Sequence, residues 1–158
     1  MKKTTLLFFL FTYSSLCLSQ TKLLPKPEAH FSAIIVSNIE ASINWYTTNF
    51  GFKVLNKIVS KKRGFKQANL KSGSILIELI ELNNSLSQTE ILKNYPNKTK
   101  IEGFFKFGFL VSEFEKWVTH LKHLKVEFYG TVVRDPVSKK KTVLILDPDG
   151  NRIQLFEK

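Results

Sequence analysis

Cysteine is nearly missing from this chain of 158 residues. Its one example, Cys17, lies in a segment read below as removable. Without it the mature protein has no thiol, which excludes a disulfide framework and thiolate chemistry. Acidic residues are also scarce, with 13 Asp and Glu against 24 Lys and Arg and a formal net charge of +11. A long hydrophobic run is missing too. The apolar stretch at residues 6–12 is too short to span a bilayer comfortably, and no other segment comes closer. What is present is a globular composition, 43% hydrophobic and 23% charged, long enough for one domain with a sizeable core. Phe is used 14 times, which points to an aromatic interior or pocket.

The first nineteen residues read as a signal peptide. Lys2 and Lys3 make a basic start, residues 6–12 an apolar centre, and Cys17-Leu18-Ser19 places small residues for a cut before Gln20. A lipid anchor on Cys17 is disfavoured by the bulky Leu16 before it. The expectation is an exported protein, periplasmic or secreted, with no membrane span in the mature chain. Residues 20–28, with Pro25 and Pro27, form a leader without periodicity. The positive balance collects in Lys61-Lys62-Arg63 and Lys139-Lys140-Lys141. Both runs lie beside turn residues and read as solvated hairpin tips. Export argues further against a nucleic-acid partner.

Periodicity then sets out the elements. Residues 30–36 read as a strand. Ser37-Asn38 offers a helix cap, and Ile39, Ile43, Tyr46 and Phe50 fall at helical spacing before Gly51. Strands follow at 52–59, 65–70 and 74–82. Residues 83–103 are polar and irregular, with a short helix predicted at 86–92, and read as a linker. A strand at 104–111 restarts the order. A helix over 112–124 carries Phe114, Trp117, Val118, Leu121 and Leu124 on one face. Strand-like segments at 126–129, 131–134 and 141–146 lead to a closing strand at 152–156. Before that strand stands Asp147-Pro148-Asp149-Gly150-Asn151, in which Asp147 can bond the backbone two residues on and Gly150 supplies positive φ.

Two internal echoes bind these elements into halves. Ile77-Glu78-Leu79-Ile80-Glu81 matches Ile153-Gln154-Leu155-Phe156-Glu157 at a spacing of 76. Val36-Ser37-Asn38-Ile39-Glu40 matches Val111-Ser112-Glu113-Phe114-Glu115 at a spacing of 75. Two matches in the same order make an internal duplication of a β-α-β-β-β unit. The fold class is α+β, with module one at 29–82, the linker at 83–103 and module two at 104–158.

Two such modules resemble the vicinal oxygen chelate superfamily, which contains glyoxalase I, bleomycin-resistance proteins and extradiol dioxygenases. The resemblance is carried by residues 35–46, by Phe50-Gly51-Phe52, by Ile77-Glu78-Leu79 and by residues 147–155. It implies that 29–158 form one domain whose two modules curve a mostly antiparallel sheet into a cup, with helices outside and the site on the concave face. It implies, in metal-dependent members, four inward side chains, two from the first strand and two from the last strand of the modules. Here those positions hold Phe31, Lys106, Glu78 and Gln154. Only Glu78 is a good ligand for a divalent cation; Phe31 has no lone pair and Lys106 is itself a cation. The resemblance therefore names the fold and withholds the usual metal. Members often dimerise, which leaves a homodimer open.

Strand alternation places Phe31, Ala33 and Ile35, then Lys106, Gly108 and Leu110, on the inner face with Glu78 and Gln154. These eight are the expected ligand-binding residues. Glu78 and Lys106 are expected to face one another, as an ion pair, as readers of a polar group on a ligand, or as general base and oxyanion stabiliser. His30 lies one residue from the ligand position and so on the opposite face. A bulge there would give the alternative metal set His30, Glu78 and Gln154. His120 and His123, beside Lys122 and Lys125, read as surface histidines near a helix end. The expectation is a small, partly apolar ligand held without a cofactor. The alternative is a lyase, isomerase or dioxygenase of the glyoxalase type.

Overall fold

The computed structural model describes residues 28–96 and 99–158. The expected signal peptide and all but the last residue of the leader lie outside them. Two sheets are formed. In the first, strands β1 (Ser32–Ile35), β2 (Lys53–Ser60), β3 (Phe65–Ser72) and β4 (Ile75–Leu82) take the order β1-β4-β3-β2. In the second, β5 (Phe107–Val111), β6 (Glu127–Phe128), β8 (Lys141–Leu146) and β9 (Arg152–Glu157) take the order β5-β9-β8-β6. A short strand β7 (Val133–Arg134) pairs β8 as an added hairpin. The class is mixed α+β, with open sheets of four and five strands.

Helix α1 (Ile39–Phe50) follows β1. It starts where the Asn38 side chain accepts the Ala41 amide at 3.0 Å. It stops at Gly51, whose φ of 64° closes the last turn with the Phe52 amide reaching back to Tyr46. A short helix α2 (Gln88–Leu92) sits in the linker, capped by Ser87. Helix α3 (Phe114–His123) follows β5 as α1 follows β1. The first basic run forms one 3-10 turn, Lys61–Arg63, between β2 and β3. In the second, Lys139 and Lys140 lie in the β7–β8 turn, and Lys141 opens β8 and pairs with Glu115.

The duplication is repeated in hydrogen-bond register. β1 runs parallel to β4 with Ala33 opposite Glu78, and β5 runs parallel to β9 with Gly108 opposite Gln154. The expected strand at 104–111 is shorter, beginning at Phe107. Its partner Ile153 is the second residue of β9, and the parallel ladder starts there. The expected strand at 30–36 is likewise reduced to Ser32–Ile35.

One face of each sheet is sealed. Ile34, Leu70, Ile77 and Leu79 from the first sheet meet Phe109, Val143, Ile145, Ile153 and Leu155 from the second in a single core. The helices join the halves there. Phe50 of α1 stacks on Trp117 of α3 at 5.6 Å between ring centroids, and Phe109 of β5 meets Phe50 edge-on at 5.3 Å. Each such side chain, fully buried, contributes about 1.5–3 kcal/mol from apolar area alone. This packing leaves the opposite face of each sheet uncovered, and those faces carry the residues singled out by the sequence.

Candidate functional site

On β4 the alternation is strict. Ile77 and Leu79 are buried, while Leu76, Glu78 and Ile80 turn to the open side. Glu78 lies between Ala33 of β1 and Asn69 of β3. Its carboxylate accepts a hydrogen bond from Gln67 Nε2 at 2.7 Å, and beside it Asn69 Nδ2 donates to Asn56 Oδ1 at 2.9 Å. Module one therefore presents a polar patch of Glu78, Gln67, Asn69 and Asn56. Phe31 and Ile35 stand at its β1 side, 54% and 53% exposed. For such side chains to face water is costly, and contiguous patches of them mark binding surfaces.

Module two offers the matching face. Gln154 donates through Nε2 to the buried Thr142 hydroxyl at 2.8 Å, and that hydroxyl donates to the Leu155 carbonyl at 2.7 Å. Gly108 lies beside Gln154, and a Cβ on it would come within 3.0 Å of the Gln154 carbonyl oxygen. Lys106 is exposed ahead of the strand, and Leu110 is 69% exposed on it. Arg152 shares this face. Its guanidinium carbon lies 4.7 Å from the Phe105 ring centroid and 5.2 Å from that of Tyr129.

Phe31, Ala33, Ile35, Lys106, Gly108 and Leu110 are thus all exposed, and Glu78 and Gln154 half-buried. Glu78 and Lys106 do not meet. Glu78 bonds Gln67 within its own module, and neither residue forms an ion pair among the described residues. The expected Glu78–Lys106 pair is therefore replaced by a neutral partner from the adjacent strand. His30 is exposed and packs edge-on against Phe31 at 5.4 Å. His120 does more than face solvent: its Nε2 lies 3.3 Å from the Asn49 carbonyl at the end of α1.

Sequence reasoning missed the Gln67–Asn69–Asn56 patch, Thr142 and Arg152. Their strands were expected, but which residue stands opposite Glu78 or Gln154 depends on a register that periodicity alone leaves free. It also missed a buried network behind the site. Helical spacing places Tyr46 on the apolar face of α1, and its hydroxyl donates to Asp147 Oδ2 at 2.9 Å. The same carboxylate accepts the amides of Asp149 and Asn151 and the Asn151 side chain. Burial pushes Asp147 above the usual carboxylate range, although Asn151, Tyr46 and Asp149 pull the other way. Burial, then the Asp147 charge, pushes the Tyr46 hydroxyl up as well. Asp149 reaches across to module one, accepting from the Ser37 amide at 2.8 Å and the Ser42 hydroxyl at 3.2 Å.

The fold, its repeated register and its two uncovered faces invite comparison with known proteins. The description Glyoxalase/Bleomycin resistance protein/Dioxygenase superfamily matches residues 29–155. The chain belongs to this superfamily. A glyoxalase family protein from Enterococcus faecalis superposes with a TM-score of 0.71 at 26% identity, over 82% of this chain and 97% of that one. The uncharacterized protein YwkD of Bacillus subtilis is 26% identical over 81% of this chain and 94% of its own length. Glyoxalase I of Leishmania major, at 20% identity and a TM-score of 0.61 over 83% of this chain and 87% of its own, shares the fold.

Within the superfamily, the four positions that the resemblance assigns to a metal hold Phe31, Glu78, Lys106 and Gln154. A phenyl ring donates nothing to a cation, and an ammonium repels one. These residues do not fit a divalent ion. Among the described residues no group of three or more His, Cys, Asp and Glu is arranged to hold one. A shallow cleft of about 680 Å³ lies elsewhere, lined by Ser112, Glu113, Lys116 and Glu157, and contains none of the eight expected ligand-binding residues.

Proposed function

We propose that this protein binds a small, partly apolar molecule on its uncovered sheet faces, without the metal used by metal-dependent relatives. The observation that carries this reading is the exposed aromatic and aliphatic surface on both faces, Phe31 and Ile35 on the strand beside Glu78 and Leu110 on the strand beside Gln154. Apolar surface with a few placed polar groups is what a small organic ligand requires. Glu78 and Gln154 would orient the ligand rather than transform it. Export through a cleaved signal at residues 1–19 completes the reading, with the mature chain beginning at Gln20.

The test is elemental analysis of the purified protein together with a thermal-shift screen of small amphipathic molecules. The expected result is sub-stoichiometric metal and at least one compound that raises the melting temperature unchanged by a chelator. N-terminal sequencing of the exported chain should start at Gln20. A stoichiometric divalent ion lost on chelation, together with loss of stability, would overturn the reading. It would favour a glyoxalase-type enzyme with shifted ligands, for which His30 is the available nitrogen donor.

A further inference from the structure

Arg152 is the side chain on the uncovered face of module two whose chemistry is least accounted for. It opens β9, turned away from the buried Ile153 and on the same side as Gln154. Its guanidinium lies against the rings of Phe105 and Tyr129, contacts that hold it in place through cation–π attraction. Its Nε is buried and has no hydrogen-bond partner among the described residues. Among the described residues no carboxylate lies within 4.0 Å of it. A donor on a charged group left unpaired costs more than the roughly 1–3 kcal/mol of a neutral one.

A second cation stands beside it. Lys106 lies just ahead of the ladder that sets Phe107 against Ile153, and it meets the same ring as Arg152. Its Nζ lies 6.0 Å from the centroid of the same Phe105 ring. Two cations share one ring, and among the described residues neither has a carboxylate within 4.0 Å. Glu127 stands across Leu146 from Arg152 and forms no ion pair among the described residues. Asp135 feels the Lys106 charge, but its carboxylate is held by Ser138 and the Val137 amide.

The geometry points to an oxyanion site formed by Arg152 and Lys106. We propose that the ligand carries a carboxylate or a phosphonate-type group on a flat apolar body. The guanidinium takes the oxyanion along its planar edge, Lys106 adds a second charge, and Phe105 and Tyr129 lie against the body. Gln154, two residues along β9, is placed to bond a polar atom nearer the middle of the face. The proposal rests on the reading of this face as a ligand site and names the ligand's class.

The test is calorimetric titration of the full chain with benzoate, phenylphosphonate and inorganic phosphate, set against the neutral benzamide and benzyl alcohol. At least one anion is expected to bind ten-fold or more tightly than the neutral compounds, and to weaken as salt rises. The benzoate and phenylphosphonate arms separate the two oxyanions. Arg152→Gln should abolish the preference, and Lys106→Gln should reduce it several-fold. Should the first variant fail to fold, the second and the salt series carry the same prediction. Neutral and anionic compounds binding equally well would overturn this inference and leave the ligand site standing. No binding by any of the five would overturn both. A dimer lost in Arg152→Gln with anion affinity unchanged would assign the arginine to a second copy and overturn the oxyanion site.

Discussion

At the residue scale Glu81, Asp147 and Tyr46 have shifted acidity, lie away from the uncovered faces and serve the framework. The Glu81 carboxylate accepts from Lys66 and from the Ile39 amide at the start of α1, and these bonds hold it below its usual range. A carboxyl held low stabilises the fold above its unfolded value, about 4.5, and that contribution is lost as pH falls through the folded value. Glu81→Gln is therefore expected to lower the urea midpoint at neutral pH, with the gap from wild type closing well below pH 4.5. An equal gap at both would remove Glu81 from this role. Asp147 has the opposite sign. Raised by burial, its contribution is present below 3.8 and fades as pH rises through its folded value. Its hydrogen bonds offset that cost at neutral pH. The local bond from the Asp149 amide to Asp147 was legible in the sequence, because a turn of this composition makes it. The bond from Tyr46, 101 residues away, was not.

At the element scale the parallel pairs β1–β4 and β5–β9 place the uncovered residues. Periodicity of two separated inner from outer side chains in each strand, and the two spacings of 75 and 76 marked the modules as copies. Neither fixed which residues stand opposite each other. Gly108 shows what the register demands. With the Gln154 carbonyl 3.0 Å from where its Cβ would be, Gly108→Ala has to part β5 from β9 or shift one of them. A loss of about 1–3 kcal/mol in denaturant unfolding is expected. A gain of a few tenths, as when alanine only restricts the unfolded chain, would show that the pair has room to spare. The late start of β5 at Phe107 belongs here too. It leaves Phe104, Phe105 and Lys106 outside the ladder, which is why Phe105 can turn its ring toward Arg152 although strand parity alone would have put it on the other face.

At the scale of the molecule the shared apolar core joins the two modules, and the turn at residues 147–151 adds polar bonds between them. Asp147 takes the Tyr46 hydroxyl, and Asp149 takes the Ser37 amide and the Ser42 hydroxyl, all on or beside α1 of the other module. Asp149→Ala leaves a buried serine without that partner and is expected to cost about 1–3 kcal/mol. Fluorescence of Trp45 and Trp117 and far-ultraviolet circular dichroism should report one coincident transition at a lower urea concentration. An unchanged midpoint would show that the turn joins nothing of consequence. The sequence by itself determined the class, the duplicated module, the caps of α1 and the inner and outer parity of each strand, because these depend on neighbours within a few residues. Tertiary structure decided the rest. It gave Glu78 to Gln67 rather than Lys106, brought Arg152 onto two rings, and tied the closing turn to the first helix. Those outcomes depend on strand register and on how two modules pack, which are set by contacts between residues far apart in the chain.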